Sequence, residues 1–164
     1  MIGDLRRLLA RELATLRREV EAYPDDASLW AAVPGLTNSG GNLALHLCGN
    51  LRHFIGAGLG RTGYVRDRDA EFSAKGRSRA ELLEEIGHAA ADVEAALRDL
   101  DPARLGSPFP LAVGGIHPPT GRFLLHLLGH LAFHLGQLDY HRRAATGDPK
   151  GAGALGVADL LDPA

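Results

Sequence analysis

The chain has 164 residues, of which 45% are hydrophobic and 23% charged, and its net charge is −2. That balance suits one globular domain able to bury roughly two-thirds of its unfolded surface, and it excludes a chain disordered throughout. Acidic and basic residues are interspersed without a basic stripe, which argues against a nucleic-acid partner.

The first segment, from about Gly3 to Ala22, repeats Leu5, Leu8, Leu9, Leu13, Leu16 and Val20 at spacings of three and four. This predicts a helix with one apolar face. Asp4, Glu12 and Glu19 lie among its arginines, unlike a secretory signal or transit peptide, and Pro24 ends it. The aperiodic stretch DDASLWAAVPGLTNSGG follows, with Trp30 as an apolar anchor. A second helix is expected from about Gly41 to Leu59, capped by Asn38 or Ser39. Leu43, His46, Leu47, Asn50, Phe54 and Ala57 share its broad face, and Gly56, Gly58 and Gly60 loosen its end. Next comes a polar loop, GRTGYVRDRDAEFSAKGR.

Ser78-Arg79-Ala80-Glu81 matches the capping box and opens a third helix. Its stripe runs from Leu82 to Leu100, and Asp101-Pro102 ends it. In ARLGSPFPLAVGGIHPP, the apolar runs on either side of Gly114-Gly115 predict a small β-hairpin. The last helix is expected from about Thr120 to Ala145, with Gly147 as its stop. Its most apolar part, Phe123 to Leu138, is interrupted by His126, His130 and His134 and is too short and polar to span a bilayer. The fold expected is therefore all-α: a four-helix bundle over residues 1–147 with long crossover connections, and a loosely ordered tail over 148–164. A lone cysteine, Cys48, cannot form an internal disulfide, which points to the cytoplasm.

The histidines carry the functional signal. Four of the eight lie on the last helix, and His126, His130 and His134 follow one another at four-residue steps. Such a step is ~40° of rotation and ~6 Å of rise, so two imidazoles can converge on one ion through bonds of ~2.1 Å. His126 and His134 are ~12 Å apart along the axis, so only one adjacent pair can share an ion. A further ligand must come from another helix, and His46 lies on the apolar face of the second. Three neutral nitrogens with positions left open describe a working metal site rather than a closed structural one. Taken singly, His46 also fits a hydrogen-bonded core residue. His53, His88, His117 and His141 are expected at the surface or rim. Cys48, ~200° round the helix from His46, reads as a packed, inert thiol. No glutamate lies within the HxxxH element, and no general base is identified.

LALHLCGNLRHFIGAGLG (Leu43 to Gly60) and LLHLLGHLAFHLGQLDYHRR (Leu124 to Arg143) resemble the DinB-like, or YfiT-like, superfamily of metal-binding four-helix bundles, in its branch of small bacterial proteins. Members carry one ligand histidine on the second helix and an HxxxHRGQ motif on the last. Here the motif reads His130-Leu131-Ala132-Phe133-His134-Leu135-Gly136-Gln137. The resemblance implies His46, His130 and His134 as ligands of zinc or nickel, with Gln137 of its motif at the site rim or at a bundle seam. Spacing along the helices gives His126 a supporting or packing role and puts Asn50, one turn after His46, near the site or in the seam. The resemblance also implies a homodimer and a thiol S-transferase-like enzyme acting on a small molecule, with a thiol cofactor among its partners; a hydrolase-like enzyme is the other reading, because an ion on three neutral imidazoles acidifies bound water. The alternative is a stress-related bundle that binds metal or ligand without turnover. Leu135 replaces the family's arginine, so an anionic substrate would need another group.

Overall fold

The computed structural model describes residues 1–154 and 156–160. Its α-helices are α1 (Ile2–Glu21), α2 (Asp26–Leu29), α3 (Gly40–Leu51), α4 (Arg68–Ser73), α5 (Arg79–Arg98) and α6 (Thr120–Thr146). The long helices α1, α3, α5 and α6 form the bundle, as the apolar periodicity predicts. The short α2 and α4 are additions, formed within links that carry no readable period. No helix among the described residues is long and apolar enough to cross a membrane.

Around the bundle, α1 packs on α5 and α6, and α3 packs on the same two helices. The consecutive long helices α1 and α3 thus stand across the core from each other, an order that only long links permit. The facing stripes bury Leu5, Leu9, Leu13 and Leu16 of α1, Leu82, Ile86 and Val93 of α5, Leu47 and Leu51 of α3, and Leu124, Leu131 and Leu138 of α6.

The caps fall where the sequence places them. Ser39, not Asn38, caps α3, its hydroxyl accepting from the Asn42 amide at 3.2 Å. Ser78 and Glu81 make both bonds of the capping box at the start of α5. Ser78→Ala is expected to lower stability by about 1 kcal/mol, read as a shift in urea midpoint without a change in slope. Gly147 ends α6 at φ 73°, in the left-handed region.

Beyond Leu51 the second long helix widens into a π-helical turn, Arg52–Ala57. The expected hairpin is reduced to two isolated antiparallel bridges, Val113–Ile116 at the turn and Pro108–Pro119 beyond it, where Phe109 donates to the Pro118 carbonyl at 2.8 Å. Val113 and Ile116 exchange backbone bonds of 2.7 and 3.1 Å around Gly114 and Gly115, but no strand extends from them among the described residues. Pro108, Pro110, Pro118 and Pro119 remove the amide donors that a longer ladder would need.

The segment after Gly147 is tied back by arginines. Arg142 donates to the Lys150 carbonyl at 2.6 Å and Arg18 to the Ala152 carbonyl at 2.8 Å. Of the tail expected over 148–164, Leu155 and residues 161–164 lie outside the described residues.

One histidine departs from expectation. His141 is not at the surface but 1% exposed. The link after α1 folds over it, so that the Tyr23 hydroxyl meets its Nδ1 at 2.8 Å and the Ala31 carbonyl its Nε2 at 3.0 Å. Burial lowers its pKa, against the opposing bond to Ala31.

Candidate metal centre

The centre starts from α4, a helix of six residues that rests on α3. Asp67 caps it by accepting from the Ala70 amide at 2.9 Å. Asn42, in the first turn of α3, ties down the other end by donating to the Glu71 and Ala74 carbonyls at 2.9 and 3.0 Å. This brings the Glu71 side chain, 5% exposed, against α3 beside Gly49. A Cβ at Gly49 would lie 2.0 Å from Glu71 Oε1, so only glycine leaves room for the carboxylate.

Glu71 is held from two sides. Arg66 donates from Nε to Oε1 at 2.6 Å and from Nη2 to Oε2 at 2.8 Å. His46 Nδ1 lies 3.0 Å from Oε2. Burial would raise the pKa of Glu71, but the bonds from Arg66 and His46 outweigh it, and the carboxyl is held below its ordinary value. Arg66 Nη2 lies farther from the same nitrogen, at 3.2 Å, and the nearer charged carboxylate favours the proton on His46 Nδ1, which leaves a lone pair on Nε2.

That lone pair faces α6. His46 Nε2 lies 3.2 Å from His130 Nε2, and one nitrogen from each of His46, His130 and His134 lies within 4.8 Å of the others. Two ligand nitrogens on a tetrahedral ion stand about 3.4 Å apart, so the set is compact enough for one ion. His134 is oriented in turn by Gln137, whose Oε1 lies 2.6 Å from its Nδ1. Burial, reinforced by the neighbouring imidazoles, lowers His130 to about 4, and burial lowers His134 against the opposing Gln137 bond. Both rings are therefore neutral at physiological pH, the state in which imidazole binds metal. His130 Nδ1 is buried without a partner among the described residues. Neutral donors, a carboxylate behind one of them and an amide behind another fit a divalent cation.

The three rings border a cavity of about 560 Å³, whose wall includes Phe54, Phe72, Phe123, Asn50, Arg66 and Arg68. Asn50 is 7% exposed, with its Oδ1 buried and unpartnered. His126 lies outside the triad. It is exposed at the rim, lines the cavity and stacks on Phe123 with centroids 5.8 Å apart. Leu135 is buried in the core, so the side chain at that position does not reach the cavity. Cys48 is fully buried, and burial pushes its thiol up to about 12.

Glu71, Arg66, Arg68 and Phe72 all come from the stretch expected to be a polar loop. The one signal there is Asp67 placed three residues before Ala70, an N-cap for a helix too short to show a period. Glu71→Gln should weaken metal binding about 10- to 100-fold. Gly49→Ala should do the same by displacing the carboxylate, and competition with a fluorescent chelator measures both.

A family model describing the DinB superfamily matches residues 8–138 of the chain. No curated protein matches it.

Proposed function

Because the chain belongs to the DinB superfamily, we propose that it is a metal-dependent enzyme acting on a small molecule, thiol S-transferase-like or hydrolase-like, with zinc or nickel held by His46, His130 and His134. The observation that carries this reading is the convergence of three imidazole nitrogens within 4.8 Å at the wall of an open cavity. Imidazole donors suit zinc and nickel among the divalent metals. A divalent ion held there supplies a Lewis acid that acidifies water or a thiol at neutral pH.

The chain's own groups do the rest. Glu71 keeps the proton on His46 Nδ1, and Gln137 orients His134. Phe54, Phe72 and Phe123 shape an apolar wall against which a substrate can lie without water. His126, exposed at the rim with its ring 6.4 Å from that of His130, is the group placed to hold or move a proton.

One observation favours the alternative of a binding bundle without turnover: among the described residues, no carboxylate lines the cavity to serve as a general base. The two readings separate in an assay of tag-free, metal-loaded protein against a panel of low-molecular-weight thiols paired with electrophiles and of small esters and amides. Turnover lost on chelation and restored by zinc or nickel is expected. Its absence across the panel would leave the binding bundle.

A homodimer and a cytoplasmic setting belong to the same proposal. Leu125, Phe133 and Tyr140 are 52, 64 and 71% exposed on one side of α6, an apolar stripe for a second copy to cover. Light scattering of wild type and Phe133→Glu tests it. The buried free thiol of Cys48 suits a reducing compartment.

A further inference from the structure

We propose that the cavity before the three histidines takes a small organic anion with an apolar body, and that Arg68 recognises its charge. The inference deepens the reading of this site as a metal centre and names the class of molecule that would occupy it.

The argument begins with charge. Among the described residues, the cavity wall contains two arginines and no carboxylate. Arg66 is already matched, because it donates to Glu71 behind the wall at 2.6 and 2.8 Å, and its Nη2 also lies 3.2 Å from His46 Nδ1. Arg68 is exposed, and its guanidinium lies over an aromatic face, the guanidinium carbon 5.1 Å from the Phe72 centroid. Stacking fixes the plane of a guanidinium while leaving its in-plane N–H donors available for a carboxylate. Phe72 in turn stands 4.9 Å from the His46 ring. Cation, ring and imidazole therefore form a row that leads from the rim to the site. Neutral imidazoles do not offset the charge of an ion, so the cavity is positive with or without one, and it favours an anion.

The rest of the wall describes the body of the ligand. Phe54, Phe72, Phe123 and Leu127 supply apolar surface, and about 560 Å³ suits a small molecule rather than a polymer. Asn50 adds a buried oxygen with no partner, a polar group that a donor on the ligand or a water would satisfy. With Leu135 in the core, the cation at this cavity comes from the first turn of α4 instead of from α6.

The test uses calorimetry on the tag-free full chain with phenylacetate and its neutral counterpart phenylacetamide. Both are titrated into metal-loaded and chelator-stripped protein, with metal content measured separately. Phenylacetate should bind about tenfold more tightly than phenylacetamide, in the stripped protein as well. In the stripped protein Arg68→Gln should bring the two within about twofold, with the metal content of the loaded form unchanged, and Arg68→Lys should keep part of the preference. Equal affinities in wild type, no binding of either compound at millimolar concentration, or a preference that survives Arg68→Gln in the stripped protein would overturn the proposal. A chain that holds no metal yet keeps the preference would sink the metal reading and leave this one standing.

Discussion

Replacing His46 or His134 with alanine is expected to leave a folded bundle that no longer retains stoichiometric metal. Tag-free wild type should carry about one zinc or nickel per site after extensive dialysis, a result that elemental analysis reads directly. Each ligand removed leaves two imidazoles, which is the donor count of an isolated HxxxH pair. His46 and His130 face each other at 3.2 Å, so truncating His46 removes the nitrogen that completes the set. The folded state should persist because His134 is only half-buried and the leucine stripes around the site are untouched. Circular dichroism checks this. Metal should also raise the melting temperature of wild type, by an amount that grows with free metal concentration, and should leave that of either variant unmoved. Retention of stoichiometric metal by both variants would show that the ion, if bound, sits elsewhere.

The second large effect lies away from the cavity. Arg142 and Glu19 form an ion pair of 2.6 Å between α6 and α1, and each side chain is 1% exposed. Burial raises the pKa of Glu19, opposed by the bond from Arg142, and Asp139 adds its own contact to the guanidinium at 3.1 Å. Removing one member strands a buried charge. Arg142→Ala should therefore cost about 3–5 kcal/mol and also release the Lys150 carbonyl, while replacing both members with apolar residues of similar volume should recover most of the loss. Urea denaturation of Glu19→Met, Arg142→Leu and the double variant that combines them measures the coupling. Additive losses would show that the pair is solvated in practice.

The bundle was legible because its four long helices each repeat leucines with a helical period, and Ser78, Ser39 and Gly147 mark ends by local chemistry that needs no tertiary context. The triad was legible in part. Spacing alone allows His126–His130 as readily as His130–His134, and the motif of the superfamily selected the second. What could not be read was the side of the centre built by α4. Glu71 reaches His46 only because Asn42 anchors a six-residue helix whose sequence shows no period, and Gly49 leaves the space. His141 was misplaced for a similar reason. Its burial comes from Tyr23 and Ala31 in a link that spacing along α6 cannot reveal.

The ring order of the helices has a kinetic consequence. The two imidazoles that face each other belong to residues separated by 84 positions, and α5 must be threaded between their helices in sequence before they meet. A nascent or unfolded chain therefore owns at most the HxxxH half of the grip. Cation capture belongs to the final stage of assembly, and loss of the ion during unfolding should report separation of α3 from α6, ahead of any melting within either helix.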